Sequence, residues 1–299
     1  MKISIKREQS QTGLNFAERE IFRPQVKKIM HWMFAAILIC GTAAFTACTN
    51  EDNPVTPTDN LAEKLIGKWI VADRDGKPAL TNDKMVTTFV SDTQAIISMS
   101  RTDYSAEAGR WNAYREYAVE IDGNKVALTS KVNNFVKLVE EYAISNISSI
   151  EMFCDFTHTT FVNDKPVTIA VENDIRYSKV ASDYKEAILG LWECTELTGI
   201  ETYNDANARL EFFADGTYKY WRKNDAGEWE AVSTREFQNY FVDGTLLATR
   251  WKNVGEDELR EWWEIASIAD GQMVWTALRK NTDGSTAQQG MKWKKVAIK

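Results

Sequence analysis

Two carboxylates beside tryptophan are the side chains whose spacing best suits chemistry in this 299-residue chain. Glu261 and Glu264 occur in the sequence REWWEI, where the indole rings could desolvate one acid and stack on a sugar. Such a pair could serve as the acid and the base of a hydrolase. The same pattern fits a solvated strand face on which charges alternate with buried tryptophans, and we favour that interpretation. The sequence therefore assigns no catalytic residue.

Histidine offers little further chemistry. His158 is the only histidine after residue 48, and one histidine cannot supply a multi-histidine metal site. No serine or cysteine lies in a nucleophile elbow, and no glycine-rich phosphate loop, CxxC or HExxH occurs. We therefore predict no metal and no cofactor, with His158 an ordinary strand or loop residue.

Two cysteines remain in the body of the chain. Cys154 and Cys194 lie in apolar, strand-like runs in different halves of the sequence. Two buried free thiols are the favoured interpretation, and a disulfide between them is the alternative in an exported protein.

The segment before residue 48 has the layout of an export signal. The apolar run from Trp32 to Ala47 has 16 residues, fewer than the roughly 20 that a membrane-spanning helix needs. Lysines precede it and small residues end it, as in a cleaved signal peptide covering residues 1–47. Residues 1–25 are polar and mixed in charge, so we expect that they are not translated and that synthesis starts at Val26 or Met30.

The end of this signal resembles the lipobox of bacterial lipoproteins. Phe45-Thr46-Ala47-Cys48 matches it, and the resemblance implies a diacylglycerol on the Cys48 thiol and a membrane anchor without a span. Residues 48–60 then form a lipidated tether rich in proline and polar residues. Its acidic residues Glu51 and Asp52 resemble an export signal of gut commensals, which implies an outer-membrane lipoprotein facing the cell exterior. A periplasmic face, or a plain secretory signal with Cys48 a bystander, is the alternative.

The charge of the exported part argues against nucleic acid as a partner. Residues 1–48 hold seven of the 36 basic and three of the 43 acidic side chains, so the remainder has a net charge of −11. A strongly acidic exterior repels phosphate backbones.

An internal repeat sets the domain organisation. LIGKW at residues 65–69 returns as ILGLW at residues 188–192, with a period of 123 residues. Five further matches keep the same order: Phe89 and Asp92 with Phe212 and Asp215, Gly109–Trp111 with Gly227–Trp229, Asp122-Gly123 with Asp243-Gly244, ISSI at 147–150 with IASI at 265–268, and IRYSKV at 175–180 with MKWKKV at 291–296. We therefore predict two homologous domains, residues 61–181 and 184–299.

Local patterns within each half predict β-strands. Short β-branched and aromatic runs alternate with Asp-Gly turns, which is typical of an antiparallel meander. A short helical turn is expected to open each domain, because apolar residues at helical spacing run into a glycine. Closing such a meander into a barrel removes its exposed edges.

The start of each half resembles the lipocalin signature, a short helix followed by Gly-x-Trp. The motif occurs as Gly67-Lys68-Trp69 and again as Gly190-Leu191-Trp192. The resemblance implies an all-β fold with two tandem antiparallel lipocalin-like β-barrels after the lipoprotein signal peptide. It also implies that each tryptophan closes one barrel end under a basic residue of the last strand, with Arg176 and Lys292 as the candidates. It supplies no catalytic residue.

Aromatic residues are concentrated in the predicted second domain, residues 184–299, which has eight tryptophans against two in residues 61–181. Strand alternation places Tyr218 and Tyr220 on one face and Trp221 on the other, so both barrel faces receive rings. We predict a small apolar or glycan ligand bound at the following residues: Tyr218, Tyr220, Trp221, Trp251, Trp263 and Trp275. A surface that binds proteins, as in an adhesin, is the alternative, and a carboxylate hydrolase is less favoured.

Overall fold

A computed structural model describes residues 60–98, 115–200 and 208–297, which form two antiparallel β-sheets. The predicted signal peptide, Cys48, nearly all of the tether and the repeat match at residues 109–111 lie outside these ranges. In the described ranges, no helix is long and apolar enough to cross a membrane.

The elements are antiparallel strands joined by tight turns, as predicted. The first half contains α1 (Leu61–Leu65), β1 (Gly67–Arg74), β2 (Lys77–Pro78), a 3-10 turn (Thr81–Asp83), β3 (Val86–Phe89), β4 (Gln94–Ser98), β5 (Arg115–Asp122), β6 (Lys125–Lys131), β7 (Val136–Ile147), β8 (Glu151–Val162) and β9 (Lys165–Lys179). The second half contains β10 (Gly190–Thr198), β11 (Ala208–Phe212), β12 (Tyr218–Lys223), β13 (Trp229–Ala231), β14 (Arg235–Asp243), β15 (Leu246–Asn253), β16 (Glu258–Ala269), β17 (Gln272–Lys280) and β18 (Thr286–Val296). Strands β7, β8, β9, β16 and β18 are longer than the short runs in the sequence indicate.

The first sheet closes into a barrel. Its strands follow one another from β3 to β9, and β1 pairs with β3 on one side and with β9 on the other. Eight strands therefore form a closed ring, to which β2 adds two residues at one edge. Pairing on both sides of β1 closes the ring, which is the expected solution for a meander of this length, while residues 165–174 of β9 extend past β1 and pair only with β8 in the described ranges.

The second sheet nearly closes. It runs from β13 through β10 and β18 to β14, so β13 and β14 are its two edges. Thr217, directly before β12, forms an isolated bridge with Asn239 of β14, where the Tyr240 amide donates to the Gly216 carbonyl at 2.8 Å. We call the gap between β12–β13 and the start of β14 the seam.

The predicted all-β fold of two tandem lipocalin-like barrels is confirmed, with one barrel closed and one nearly closed. The domain boundaries at residues 61–181 and 184–299 stay a prediction.

Each barrel buries its Gly-x-Trp tryptophan at the same structural position. Trp69 and Trp192 are both 0% exposed. The Trp69 indole donates to the Leu65 carbonyl at 2.7 Å, and the Trp192 indole donates to the Ile188 carbonyl at 2.6 Å. The chain before each strand therefore satisfies the one polar atom of a buried indole. In the first barrel that chain is α1, whereas in the second it is a single turn, not the full helix.

The basic residue over each ring is not the predicted one. The Lys179 ammonium lies 5.0 Å from the Trp69 ring centre, and the Lys295 ammonium lies 5.1 Å from that of Trp192. Each lysine stands directly opposite its tryptophan in the strand pairing. The prediction of Arg176 and Lys292 was therefore wrong by three residues, because those side chains reach carboxylates instead: Arg176 binds Asp73 and Glu151, and Lys292 binds Glu196.

The glycine of each Gly-x-Trp makes room for this lysine. Gly67 and Gly190 have φ angles of 119° and 106°, which side-chain-bearing residues rarely adopt. A Cβ atom on Gly67 would lie 3.0 Å from Lys179 Cε, and one on Gly190 would lie 3.5 Å from Lys295 Cε. Glycine, tryptophan and lysine thus form one structural unit, which we call the closing corner.

Side chains of the two barrels bind one another. Lys68 pairs with Asp243, whose side chain is 1% exposed, and with Asp183 at 2.9 Å. Lys84 reaches Glu264 at 2.5 Å. An apolar cluster of Ile70, Val86, Leu246 and Val180 fills the space beside these ion pairs.

We expect Lys68→Ala to lower the free energy of unfolding by about 2 kcal/mol. The loss leaves the buried Asp243 carboxylate without its cation, and the figure is below that of a fully buried pair because Lys68 is partly exposed. Urea unfolding measures it, and Lys77→Ala, at an exposed residue of β2, is the matched control. The double variant Lys68→Ala/Asp243→Asn should lose less than the sum of the two single losses. Strict additivity would contradict this account of the contact between the barrels.

Candidate ligand site in the second barrel

The structure brings five of the six predicted ligand residues to the inside of the second barrel. Tyr218, Trp251, Trp263 and Trp275 are buried, and Tyr220 is half-buried beside them. The predicted strand alternation is seen, since Tyr218 and Tyr220 face inward.

Trp221 lies apart from the other candidates, on the outer face. It lines a shallow cleft with Leu191, Arg209, Glu211, Lys219, Val296 and Ala297. Its indole nitrogen is buried and has no hydrogen-bond partner among the described residues. Any ligand that contacts Trp221 would therefore occupy a different place from one inside the barrel.

A continuous column of aromatic rings fills the barrel. The ring centres of Trp263 and Trp275 are 5.8 Å apart, and those of Trp275 and Trp293 are 4.7 Å apart. Phe212 joins this column at 6.2 Å from Trp275 and reaches Tyr218 at 6.0 Å. These spacings are in the range of attractive ring contacts, so the column stabilises the barrel as well as lining it.

Arg235 lies at the seam between two rings. Its guanidinium carbon is 4.7 Å from the Tyr220 ring centre and 5.3 Å from that of Trp251. Its Nη1 atom donates to the side-chain oxygen Oε1 of Gln238 at 3.0 Å and to the Tyr218 hydroxyl at 3.4 Å. Cation–π contacts from two rings hold the guanidinium in place at the edge of β14.

A second guanidinium and a carboxyl lie deeper in the barrel. The Arg279 guanidinium is 4.9 Å from the Trp263 ring centre and donates to the Trp262 carbonyl at 2.5 Å. The Trp263 indole donates to Glu261 at 3.4 Å. Burial raises the pKa of Glu261, and the nearby Arg279 and Arg235 oppose this rise. Burial likewise lowers the pKa of Arg279, opposed by Glu261. Burial is the main cause of both shifts, and water screens charges poorly in such surroundings.

The first barrel has an acid–base pair at the equivalent position. His158 Nδ1 lies 2.8 Å from a Glu140 oxygen, and its Nε2 lies 3.1 Å from the Thr160 hydroxyl. Glu140 and His158 precede Glu261 and Arg279 by 121 residues each. The bulges in β7 and β16 are also 121 residues apart, which fixes this alignment. The sequence patterns did not predict this repeated pair. The detectable signal was a glutamate at the same place in both halves, Glu140 and Glu261.

The hypothesis of a Glu261–Glu264 hydrolase pair is wrong. The two residues are three apart on β16, so their side chains leave opposite faces of the strand. Glu261 interacts with Trp263 inside the barrel, whereas Glu264 binds Lys84 and Thr245. Carboxylates on opposite faces cannot flank one scissile bond.

The two cysteines of the described residues belong to the packed interior and not to a reactive site. Cys154 and Cys194 are buried free thiols, and burial raises their pKa to about 12 and about 11. Such thiols carry little thiolate at neutral pH and are poor nucleophiles. Among the described residues, no three histidine, cysteine or acidic side chains are grouped to hold a metal ion.

Comparisons with known proteins add no family assignment. No family model and no curated protein matches the sequence. Among solved structures, the chain is similar to a double mutant of the vaccine antigen transferrin-binding protein B from Haemophilus parasuis Hp5, with 9% identity and a TM-score of 0.22. The match covers 75% of this chain and 62% of that one. A TM-score of 0.22 is too low for this likeness to assign a fold or a function to the chain.

Proposed function

We propose that the chain is a lipid-anchored binding protein whose second barrel takes a small apolar or glycan ligand. The observation that carries this proposal is Arg235, held between Tyr220 and Trp251 where the sheet edges separate. Aromatic faces with a few directed polar groups are the usual lining of a small-molecule site.

The contrast between the two barrels supports this assignment. The first barrel is closed by hydrogen-bonded strands, whereas the second has a seam beside its polar groups. Burying charged side chains such as Glu261 and Arg279 lowers the stability of the folded protein, so stability does not explain why they are inside the barrel. Sites where a sequence departs from good packing rules are often functional, and the second barrel concentrates such departures near its seam.

A protein partner is the second candidate, favoured by one surface feature. Val167, Ile169 and Val171 on β9 alternate along the strand and are each about 60% exposed. In the described ranges, residues 165–174 of β9 pair only with β8. Exposed apolar side chains beside an unpaired strand edge are typical of protein contacts.

The location follows from the proposed lipid on Cys48. Acidic residues next to that cysteine support an outer-membrane lipoprotein that faces the exterior, with the periplasmic face as the alternative. In either location, the barrels would stand near the membrane on the tether.

Tryptophan fluorescence tests the small-ligand proposal. We expect one class among fatty acids, haem-like rings and host oligosaccharides to shift the emission of the protein saturably. Trp251→Phe should weaken that ligand's binding about tenfold, because Trp251 contacts the guanidinium at the seam. Trp221→Phe, on the outer face, is the matched control and should leave affinity unchanged.

Two results would count against the proposal. If no class gives a saturable response while the protein stays folded, the protein-contact function takes precedence. If Trp221→Phe weakens binding and Trp251→Phe does not, the ligand lies in the outer cleft and not in the barrel.

A further inference from the structure

The outer face of the second barrel carries a cleft of about 570 Å³ over strands β18, β10, β11 and β12. Strand pairing places its lining in two rows. In one row Arg209 of β11 stands opposite Trp221 of β12. The other row crosses all four strands and consists of Val296, Leu191, Glu211 and Lys219. The cleft is as large as many small-molecule sites and is separate from the ring-filled interior of the barrel.

Trp221 supplies the aromatic surface of this cleft. Its partner in β13 is Ala231, an exposed side chain that is too small to cover the indole ring. Leu191 and Val296 add half-buried apolar surface to the lining. The indole nitrogen of Trp221 is buried without an acceptor among the described residues, and an unmet donor lowers stability. Packing alone therefore does not explain a tryptophan at this outward position.

The charges around the cleft cancel. Arg209 donates two hydrogen bonds to Glu193, one of them from Nε at 2.7 Å. Glu211 and Lys219 stand opposite each other in the pairing of β11 with β12. These four charges sum to zero, so the net charge of the cleft attracts neither anions nor cations. The cleft therefore suits a neutral ligand that uses both donors and acceptors.

The guanidinium of Arg209 is held in a fixed place. Glu193 binds it on one side, and the Trp229 ring centre lies 4.0 Å from its central carbon. A guanidinium has five N–H donors, so these contacts leave donors for a ligand in the cleft. An aliphatic chain would bury the polar groups of the lining without giving them partners, which is costly. The ligand is therefore both flat on one face and rich in hydroxyls.

We infer that this cleft binds a neutral sugar ring of a glycan, with the C–H face of the sugar against Trp221. A pyranose combines an apolar C–H face with hydroxyls that each donate one hydrogen bond and accept others. Arg209 and Lys219 offer donors to these hydroxyls, and Glu211 offers an acceptor. This inference goes beyond the proposed function, because the cleft is distinct from the site inside the barrel and the two can fail separately.

Saturation-transfer NMR on the intact protein tests the inference with four neutral disaccharides: cellobiose, maltose, lactose and N,N′-diacetylchitobiose. We expect transfer to the ring protons of at least one of them. Trp221→Ala should weaken its binding by about tenfold or more, because the stacking surface is lost. Trp251→Phe, inside the barrel, is the control and should leave this binding unchanged.

Salt concentration gives a second readout. Because the ligand is neutral and the charges of the cleft cancel, the affinity should change by less than about twofold between about 50 and about 500 mM sodium chloride. A steep loss of affinity with salt would contradict a neutral ligand.

A blocking substitution keeps the test decisive if Trp221→Ala does not fold. Ala231→Arg places a long side chain beside the ring from an exposed position, so it should abolish the transfer while the protein stays folded. Ala226→Arg, at an exposed turn residue of the same barrel, is the matched control and should have no effect.

The outcomes separate this inference from the proposed function. No transfer from the folded protein to any of the four sugars would overturn the inference and leave the fluorescence test of the barrel unaffected. Binding that Trp251→Phe weakens, and that Trp221→Ala and Ala231→Arg do not, would also overturn it and would favour a sugar inside the barrel.

Discussion

Trp192→Ala is expected to lower the free energy of unfolding of the second barrel by about 3–5 kcal/mol. Trp192 is completely buried, and its removal also takes away the ring beneath Lys295 and the indole that satisfies the Ile188 carbonyl. Small domains are stable by only about 5–15 kcal/mol, so this loss approaches the whole stability of the barrel. Urea unfolding followed by circular dichroism measures the shift.

A half-exposed tryptophan of the same barrel is the control for this substitution. Trp229 lies on the outer face, where Arg209 and Lys223 stack on its ring. Trp229→Ala should cost about 1 kcal/mol or less, because only exposed cation–π contacts are lost. A Trp192 variant as stable as the Trp229 variant would contradict the structural importance of the closing corner.

Cys48→Ser is expected to move the protein from the membrane to solution. If Cys48 carries acyl chains, each buried methylene contributes about 0.8 kcal/mol to anchoring, and the loss of the thiol removes all of it. Phase separation of a detergent extract measures the change: the wild type should enter the detergent phase and the variant the aqueous phase.

Cys40, the cysteine inside the predicted signal peptide, provides the matched control. Cys40 lies eight residues before Cys48 within the apolar run, so Cys40→Ser should leave the protein in the detergent phase. Equal partitioning of the wild type and Cys48→Ser would exclude the lipid anchor and leave a plain secretory signal.

The fold could be predicted largely because two local signals agree. Alternation and Asp-Gly turns indicate hairpins, and the repeated Gly-x-Trp places two barrels in order along the chain. Nothing local indicates that β1 pairs with β9 while β14 stops short of β12, since closure depends on the lengths and twist of all strands together. The sequence alone therefore does not predict the seam.

The lysines of the closing corner show a second limit. The resemblance to the lipocalin signature led to Arg176 and Lys292, whereas strand register decides which side chain stands opposite the tryptophan. Register is set by pairing partners and by bulges such as the one between Val71 and Asp73. The strand register therefore cannot be derived from the sequence unless the pairing partners are known.

Part of the arrangement of the rings at the candidate site could be predicted. Strand alternation placed Tyr218 and Tyr220 on one face and Trp221 on the other, because a period of two is a local property, but it did not tell which face points inward. The guanidiniums among these rings were missed, because Arg235 and Arg279 are far apart in sequence and arginine in a strand ordinarily faces solvent. Only the fold places both beside Glu261.

The two barrels share one internal feature and differ in another. Each has the glycine, tryptophan and lysine of the closing corner, where backbone geometry admits few substitutes. At the interior pair each has an acid, but its partner is an imidazole in one barrel and a guanidinium in the other. The same closing geometry therefore encloses two chemically different interiors.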